Sequence, residues 1–494
     1  MIEKYYSGVI EQIYNRIGKE TRNIVMANYS NDFSIENLEV IRRYQSNEDN
    51  VFFAYSEFSY NTLVGAYEPF LDIICNMHRR FIGGSFDDFQ KECGVYYLHR
   101  QVLNSYYETG ECFREETVLL NEVAYEQRRM TMAIADMLKK LSEVKPLMIV
   151  INRFQMASKS SIETIKYLID NPCANIGIVL GVNAIVKGTD STVEVWDRIV
   201  ESLEDRSAIY YIGSAGPLKN NVKTTNDDEL YITMNFEQSI QEASNIMEFL
   251  DFEQARRGCR IIEHKLKFED AWIDEKSLRR FYMVYARTSV LLGEMSKAIE
   301  LTNEYKALIP ENDSEHYLSL YYFMKGTCYM YQGKLEKAGN SAKSAYDYAV
   351  LAEDDTLIFK AELLSVMIKM SGWYNIFFCV QDIPVSDEII EKLIKHGYRN
   401  HLAHIYIYAY DNSRDVVKQS FYDESLLKHF TKGLELAKEI GNEQLVYDAY
   451  QKTIMLASTS GLNEIAFLYV IRTYEFMKGH GNIYVCLLYT SDAA

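Results

Sequence analysis

The sequence has little proline and glycine for its length, and it lacks the marks of several protein classes. Six prolines and 24 glycines in 494 residues favour long helices over many short strands and turns. Every apolar run falls short of the ~18 residues that a membrane helix needs. Residues 1–20 are typical of a charged amphipathic helix rather than of a signal peptide. We therefore expect a cytoplasmic protein that does not enter membranes.

Basic residues are also scarce, with 52 Lys and Arg against 70 Asp and Glu and a formal net charge of −18. Nucleic acids and anionic membranes bind clustered Lys and Arg, and no run of the sequence suggests such a patch. The eight cysteines are scattered singly without a CxxC pair, and the nine histidines have no metal-ligand spacing. We expect reduced thiols, no metal and no nucleic-acid partner.

No sequence motif suggests a catalytic site. The chain has no Ser or Cys nucleophile motif and no pair of carboxylates with convincing spacing. The acidic pairs Asp87–Asp88 and Glu115–Glu116 are interpreted as solvated charges. We expect no catalytic residues.

The first half alternates short apolar runs with stretches of helical length, which is typical of a parallel sheet covered by helices. Each run is four to six residues long and rich in β-branched or aromatic side chains. The predicted strands are Ile24–Ala27, Val51–Tyr55, Leu147–Ile151, Ile176–Leu180 and Ile209–Ile212. The expected fold class is an α/β, P-loop-like parallel sheet domain followed by an all-α superhelix.

The stretch PLMIVINRFQMASKSSIETIKYL, residues 146–168, predicts a buried strand, a loop and a helix. It resembles the second nucleotide motif of the signal-transduction ATPases with numerous domains, the STAND branch of P-loop ATPases. Gln155, Ala157 and Ser161 match the loop of that family and the serine that opens its next helix. In the family the strand ends in two acidic residues, whereas this chain has Asn152 and Arg153. Magnesium prefers carboxylate oxygens and Asn cannot act as a base, so the resemblance implies a site without its metal and its base.

The phosphate loop of the family should follow the first strand and read G-x-x-x-x-G-K-[ST]. The chain has ANYSNDFS there, with Ala27, Asp32 and Phe33 in place of the two glycines and the lysine; only Ser34 fits. Glycines let backbone N–H groups surround the phosphates, and Asp32 would repel them. The alternative is that Asp32 or Ser34 caps the next helix. We expect a degenerate ATPase-like domain without cofactor, with ATP and magnesium as the alternative.

The second half is helical and resembles tetratricopeptide repeats, in which paired helices pack through small residues. The clearest repeat is YYFMKGTCYMYQGKLEKAGNSAKSA. Gly293, Gly333 and Gly372 are predicted turn glycines that recur about every 40 residues, against the usual ~34. The positions that carry the resemblance are Ala286, Gly293, Ala298, Gly326, Tyr329, Gly333, Ala338, Gly461 and Ala466. The resemblance implies a groove that binds a protein or peptide; the alternative is that the repeats only space domains.

The predicted organisation is an ATPase-like domain at 1–215, a helical connector at 216–275 and repeats at 276–485. The last nine residues, CLLYTSDAA, resemble an adapter-derived tail of metagenomic reading frames, so we expect native sequence to end near Val485. The order of domains resembles bacterial multidomain regulators whose output is a LuxR-type helix-turn-helix or a GGDEF-type diguanylate cyclase. The hypothesis is the sensory and interaction portion of such a regulator. The alternatives are a divergent ATP-binding STAND ATPase and a stand-alone repeat scaffold, and the sequence does not name the oligomeric state.

Overall fold

The chain divides into two compact units in the computed structural model. The first comprises Met1–Val95, His99–Arg114 and Val118–Glu294, and the second comprises Tyr96–Leu98, Glu115–Thr117 and Met295–Ala494. The structure describes residues 2–29, 38–46, 50–59, 63–116, 118, 122–183, 190–213, 235–268, 273–312, 314–374, 387–409, 424–459 and 461–480.

The first unit contains a five-stranded sheet in which all pairings are parallel. The strands are β1 (Ile24–Tyr29), β2 (Phe52–Glu57), β3 (Leu147–Asn152), β4 (Ile176–Asn183) and β5 (Ile209–Ile212), in the order β2-β3-β4-β1-β5. Each of the five predicted apolar runs forms a strand. β3 is buried along its whole length, as expected for a central parallel strand covered by helices.

Eleven α-helices of the first unit belong to the described residues. They are α1 (Ile2–Arg16), α2 (Glu39–Ser46), α3 (Phe70–Met77), α4 (Phe86–Glu92), α5 (Tyr97–Thr109), α6 (Val123–Val144), α7 (Lys159–Asp170), α8 (Asp190–Glu204), α9 (Phe236–Glu248), α10 (Phe252–Phe268) and α11 (Glu275–Leu291); the first residues of α5 are assigned to the second unit. α1 packs on the sheet through Tyr6, Ile10 and Ile13, which are fully buried with Val25 and Val179. This packing anchors the N-terminal helix to the strands that form the candidate site.

Three carboxylates of the first unit lie close together around Gly65. The Gly65 N–H donates to Glu68 Oε2 at 2.9 Å, and a Cβ at Gly65 would lie 3.0 Å from Glu242 Oε1. Burial, followed by the charges of Glu68 and Asp72, raises the pKa of Glu242 to about 7. Ionisation of Glu242 near neutral pH therefore costs this unit stability.

The second unit is an array of helices in which successive helices pack on each other. Its helices among the described residues are α12 (Met295–Ala307), α13 (Glu315–Tyr331), α14 (Leu335–Leu351), α15 (Asp355–Tyr374), α16 (Asp387–Lys395), α17 (Arg399–His404), α18 (Glu424–Ile440), α19 (Glu443–Thr459) and α20 (Asn463–His480). α13 also packs on α15, so helices two apart in sequence are in contact. This is the packing of stacked helical hairpins.

The prediction of a turn at Gly372 was wrong, because this residue lies inside α15. The separate turn between α14 and α15 places Glu353 at φ 53°, in the left-handed region that usually selects glycine. Gly333, at φ 70° between α13 and α14, is where the sequence predicted a turn. The turns at Gly293 and Gly333 join α11 to α12 and α13 to α14, so the next turn of this series follows α15, in residues 375–386 outside the described part of the chain.

A close approach of helices fixes the identity of Gly326 on α13. A Cβ there would lie 3.0 Å from Leu364 Cδ2 and 3.4 Å from the carbonyl oxygen of Ala338. Gly339, on the neighbouring α14, has no such neighbour, since a Cβ would find nothing within 4 Å. Gly326 is therefore a packing residue, whereas Gly339 is exchangeable.

The interpretation of Glu116 as a solvated charge was wrong. Glu116 is 0% exposed, and it accepts hydrogen bonds from the backbone N–H groups of Asn400 (3.3 Å) and His401 (2.6 Å). Its Oε1 also lies 2.7 Å from His401 Nδ1. Glu115, the preceding residue, is exposed. The partners of Glu116 are 284 and 285 residues away in sequence, so no local pattern could reveal them.

The predicted fold class is confirmed: a parallel α/β sheet domain is followed by an all-α array of repeat-like helices. Among the residues that the structure describes, no helix combines the length and apolar composition needed to cross a bilayer.

Candidate functional site

The carboxyl edge of the sheet is where an open parallel sheet offers a ligand crevice. β1 and β4 are neighbours, and their outgoing connections run in opposite directions, to β2 and to β5. Such a switch point places the crevice outside the carboxyl ends of these two strands. The sequence comparison with STAND ATPases points to the same edge, since β3 ends here with Asn152.

Two tyrosines and one asparagine fill the space above β4 at this edge. Tyr29, the last residue of β1, donates from its hydroxyl to Asn152 Oδ1 at 2.6 Å. Tyr6 of α1 lies against Tyr29 in an edge-on arrangement with 6.4 Å between ring centroids. A Cβ at Gly181 would lie 2.5 Å from the Tyr6 hydroxyl and 2.8 Å from Asn152 Oδ1, so only glycine fits beneath them. We call Tyr6, Tyr29 and Asn152 the edge cluster; all three are 0% exposed.

The edge cluster is electrically neutral. Burial, with Tyr29 and Glu57 nearby, raises the pKa of Tyr6 well above its usual value, so its hydroxyl remains protonated. Asn152 carries no charge, and its side-chain oxygen already accepts a hydrogen bond. A buried position arranged in this way favours a neutral residue over a carboxylate.

Arg153 is held in the left-handed conformation, φ 54° and ψ 38°, directly after β3. Its Nη1 lies 3.1 Å from Glu57 Oε1 and donates to the carbonyl oxygen of Phe58 at 3.3 Å. Glu57 ends β2, and its other carboxylate oxygen accepts from the Tyr55 hydroxyl. The positive charge at this position is therefore neutralised within the protein.

These contacts decide what chemistry the edge can do. A hydrolytic magnesium site needs carboxylate oxygens directed at the metal and a residue that orients water. Asn152 and Arg153 are instead bound to Tyr29 and Glu57, in contacts that use the groups a metal or a water would need. Of the residues that the structure describes at this edge, Asn152 and Arg153 do not fit a magnesium ion.

The residues aligned with the phosphate loop are only partly described. β1 continues to Tyr29, so the predicted end of the strand at Ala27 was two residues too early. Ala27 lies inside the sheet, paired with Gly181 and Tyr210, and is 0% exposed. Asp32, Phe33 and Ser34 lie outside the described residues.

The serine that opens the helix after β3 is Ser158, not Ser161 as predicted. Ser158 is the N-cap of α7 and accepts from the backbone N–H of Ser161 at 3.4 Å. The Ser161 hydroxyl donates to the carbonyl oxygen of Glu68, and the Ser160 N–H donates to buried Asp251 at 3.1 Å. The start of α7 is thus bound to neighbouring elements by a buried polar network.

Tyr6, Tyr29 and Glu57 were not identified from the sequence. Glu57 and Asn152 are opposite each other in the β2–β3 ladder, so the two strands end side by side. A Glu and an Arg at the ends of adjacent parallel strands are a signal that could have predicted the Glu57–Arg153 pair. The role of Tyr6 has no such signal, because it depends on how α1 packs.

The repeat positions named from the sequence lie on helices and turns. Ala286 lies in α11, Ala298 in α12 and Ala338 in α14, and each is 0% exposed. Gly326 and Tyr329 lie in α13, and Ala466 lies buried in α20. Gly293, Gly333 and Gly461 lie between helices at positive φ.

Helices α14, α15 and α16 line an open cavity of about 340 Å³ in the second unit. Lys392 within it is paired with Glu362 (2.7 Å) and Glu388 (3.1 Å). Lys343 and Lys369 also line the cavity, and within the described part of the chain they have no ion pair. The apolar contribution comes from Tyr346, Val366 and Ile389. The cavity thus combines unneutralised positive charge with an apolar surface.

No protein-family model matches this chain, and no curated protein matches its sequence. The solved structures that are similar to it include a STAND protein and a Rap protein. A STAND protein with a tetratricopeptide repeat sensor from Pyrococcus horikoshii has 13% identity and a TM-score of 0.40, over 94% of this chain and 82% of that one. A Rap protein complexed with competence and sporulation factor has 12% identity and a TM-score of 0.33, over 83% of this chain and 98% of that one.

Proposed function

We propose that the chain is the sensory and interaction portion of a regulator, with an α/β unit that does not hydrolyse ATP and helical repeats that bind a peptide. The observation that carries the proposal is the pair of contacts at the carboxyl edge. Tyr29 binds Asn152 and Glu57 binds Arg153, at the two positions where the STAND resemblance would place acidic residues. The proposal extends to a cytoplasmic bacterial signalling role, for which the STAND and tetratricopeptide resemblances are the support.

The loss of hydrolysis follows from charge as well as from geometry. Arg153 supplies no carboxylate oxygen for Mg²⁺, and its guanidinium pairs with Glu57, the acidic side chain that ends the neighbouring strand. Asn152 cannot take a proton from water. A chain that keeps the fold of an ATPase in this form would serve as a rigid support or as a docking unit rather than as a catalyst.

The test of this half of the proposal is titration of ATP with Mg²⁺ into the full chain, followed by calorimetry and by an assay of ADP release. We expect no ADP release above buffer. Micromolar binding of Mg-ATP together with turnover would favour the divergent ATPase instead.

The peptide-binding half rests on the cavity of α14, α15 and α16. Lys343 and Lys369 present ammonium groups to solvent beside Tyr346, in a chain with a formal net charge of −18. A peptide with acidic residues next to an apolar one matches this arrangement, because each ammonium can bind a carboxylate while the apolar side chain is buried. The preferred partner is therefore an acidic peptide segment.

A fluorescent hexapeptide array that samples acidic and apolar residues tests this half on the full chain. We expect peptides containing both residue types to bind, and the double variant Lys343→Glu/Lys369→Glu to lose them. The matched control is Lys334→Glu/Lys337→Glu, which changes two exposed lysines of the same unit that do not line the cavity. Equal binding by the double variant and the control would remove the cavity from the proposal, and no binding by any peptide would favour a scaffold.

A further inference from the structure

A second cavity, of about 190 Å³, lies at the amino edge of the sheet, opposite the candidate site. Ile24, the first residue of β1, lines it, together with residues of the turn before β5. Because all strands are parallel, this edge is separated from the carboxyl edge by the length of the strands. Nothing in the sequence resemblance assigns a ligand here.

Three arginines from separate segments line this cavity. Arg16 ends α1, Arg22 lies in the connection from α1 to β1, and Arg206 lies in the turn from α8 to β5. Glu20 is the acidic residue of the lining, and its carboxylate lies 3.6 Å from Arg16 Nε. Positive charge therefore exceeds negative charge locally, in a chain whose formal net charge is −18.

The segments that carry these arginines are fixed by hydrogen bonds. The Asn23 side-chain amide donates to the carbonyl oxygens of Glu20 (2.5 Å) and Ala174 (3.2 Å), which holds the connection bearing Arg22. Arg206 donates from Nη1 to the carbonyl oxygen of Ile169 at 2.7 Å, which uses one of its five N–H donors. A binding site formed by cationic side chains loses less entropy when it binds an anion if its loops are already ordered.

Guanidinium groups bind phosphate through paired N–H donors, and clusters of arginine are typical of phosphate recognition. We propose that this cavity binds a phosphate group, either free phosphate or the phosphate of a small phosphorylated metabolite. The site is independent of the carboxyl edge, so the protein can sense a phosphorylated effector without a functional nucleotide site. Thr21 also lines the cavity, and its hydroxyl can donate a hydrogen bond to a phosphate oxygen.

The experiment titrates the full chain with inorganic phosphate and, separately, with ribose 5-phosphate, at constant ionic strength kept with chloride. Binding is measured by calorimetry and by the shift of the thermal midpoint. We expect saturable binding in the millimolar range or tighter, about −4 kcal/mol or more favourable. Tighter binding of ribose 5-phosphate identifies a phosphorylated metabolite as the ligand, whereas equal binding identifies the free ion.

Arg22→Gln is the test variant, because Arg22 is exposed and its loss leaves the folded connection intact. The matched control is Lys19→Gln, which removes the same charge from an exposed residue of the same connection that does not line the cavity. We expect Arg22→Gln to weaken phosphate binding about tenfold, the effect of losing one charged contact of about 1.4 kcal/mol, and Lys19→Gln to change it less than twofold. Arg16→Gln provides a second test with the same expectation.

Two results would overturn the proposal. One is the absence of saturable binding, which would mean that the arginines only stabilise the carboxyl-terminal ends of α1 and α7. The other is that Arg22→Gln and Lys19→Gln weaken phosphate binding equally, which would indicate a general electrostatic attraction of phosphate to basic residues rather than a site in this cavity. ATP binding that disappears in Arg22→Gln belongs to this cavity, whereas ATP binding that persists there contradicts the proposed loss of the nucleotide site.

Discussion

The substitution Asn152→Asp returns a carboxylate to the position where the STAND resemblance places one, and we expect it to destabilise the first unit. Asn152 is 0% exposed, and its side-chain oxygen accepts from Tyr29 at 2.6 Å. Burial can raise the pKa of a carboxyl group by roughly 3 units, which corresponds to about 4 kcal/mol for ionisation. The hydrogen bond from Tyr29 strengthens by about 1–2 kcal/mol when its acceptor is charged. The net cost at pH 8 is therefore about 2–3 kcal/mol.

The sign of the pH dependence follows from the raised pKa of the introduced group. Below about pH 4 the carboxyl is protonated in both the folded and the unfolded chain, so the variant loses little stability. The loss grows as the pH rises above the unfolded pKa, and it is complete above the folded pKa. For a unit of this size, the thermal midpoint should fall by about 5–10 °C at pH 8.

The assay is thermal unfolding at pH 4 and pH 8, with amide hydrogen exchange of β3 to report on the first unit separately. Asn15→Asp, an exposed residue of α1, is the matched control and should stay within about 0.5 kcal/mol of the parent. A parallel series with millimolar MgCl₂ should leave the midpoint of Asn152→Asp unchanged. Parent-like stability at pH 8, or stabilisation by Mg²⁺, would refute the reasoning and indicate a metal site that one carboxylate restores.

Three further predictions concern other parts of the chain. Glu242→Gln should stabilise the first unit by up to about 3 kcal/mol at pH 8 and not at pH 4, because the raised pKa of Glu242 makes its ionised form unfavourable in the folded chain. Urea titrations that give the parent and Glu242→Gln the same pH dependence of the free energy of unfolding would contradict this. Glu116→Ala should lower the free energy of unfolding of the second unit by about 3 kcal/mol, because it leaves two buried N–H groups and an imidazole without their acceptor. In the same thermal unfolding experiment, the control Glu115→Ala changes an exposed residue and should leave this free energy unchanged. Gly326→Val should destabilise the repeats by about 2 kcal/mol, whereas Gly339→Ala should stabilise them by up to about 1 kcal/mol. If chemical denaturation shows Gly326→Val to be more stable than Gly339→Ala, the packing described for α13 is contradicted.

The strands could be predicted from the sequence because burial on both faces leaves a simple record, a short run of β-branched and aromatic residues. The ends of the strands could not be predicted in this way. Tyr29 and Asn152 extend β1 and β3 beyond the apolar runs, and their polar groups are satisfied by each other. A polar residue at a strand end is indistinguishable in sequence from the first residue of a loop.

The sites depend on contacts between distant segments, which the sequence does not display. Arg16 and Arg22 join Arg206 at one cavity although the sequence has no basic run. Glu116 was misread for the same reason, since its burial depends on Asn400 and His401. The assignment of Asn152 and Arg153 as degenerate site positions stays a prediction, for which the STAND resemblance supplied the residue types to compare.

Gly181 has a consequence for how this protein can change over time. The side chains above it come from three elements, α1, β1 and β3, and each occupies room that the other two leave. A carboxylate at position 152 is tolerated only if the neighbouring tyrosines and the charge of Arg153 change with it, so each single step toward an acidic pair passes through a less stable protein. The present form of the edge is therefore entrenched, because an acidic pair at positions 152 and 153 would require several coordinated substitutions.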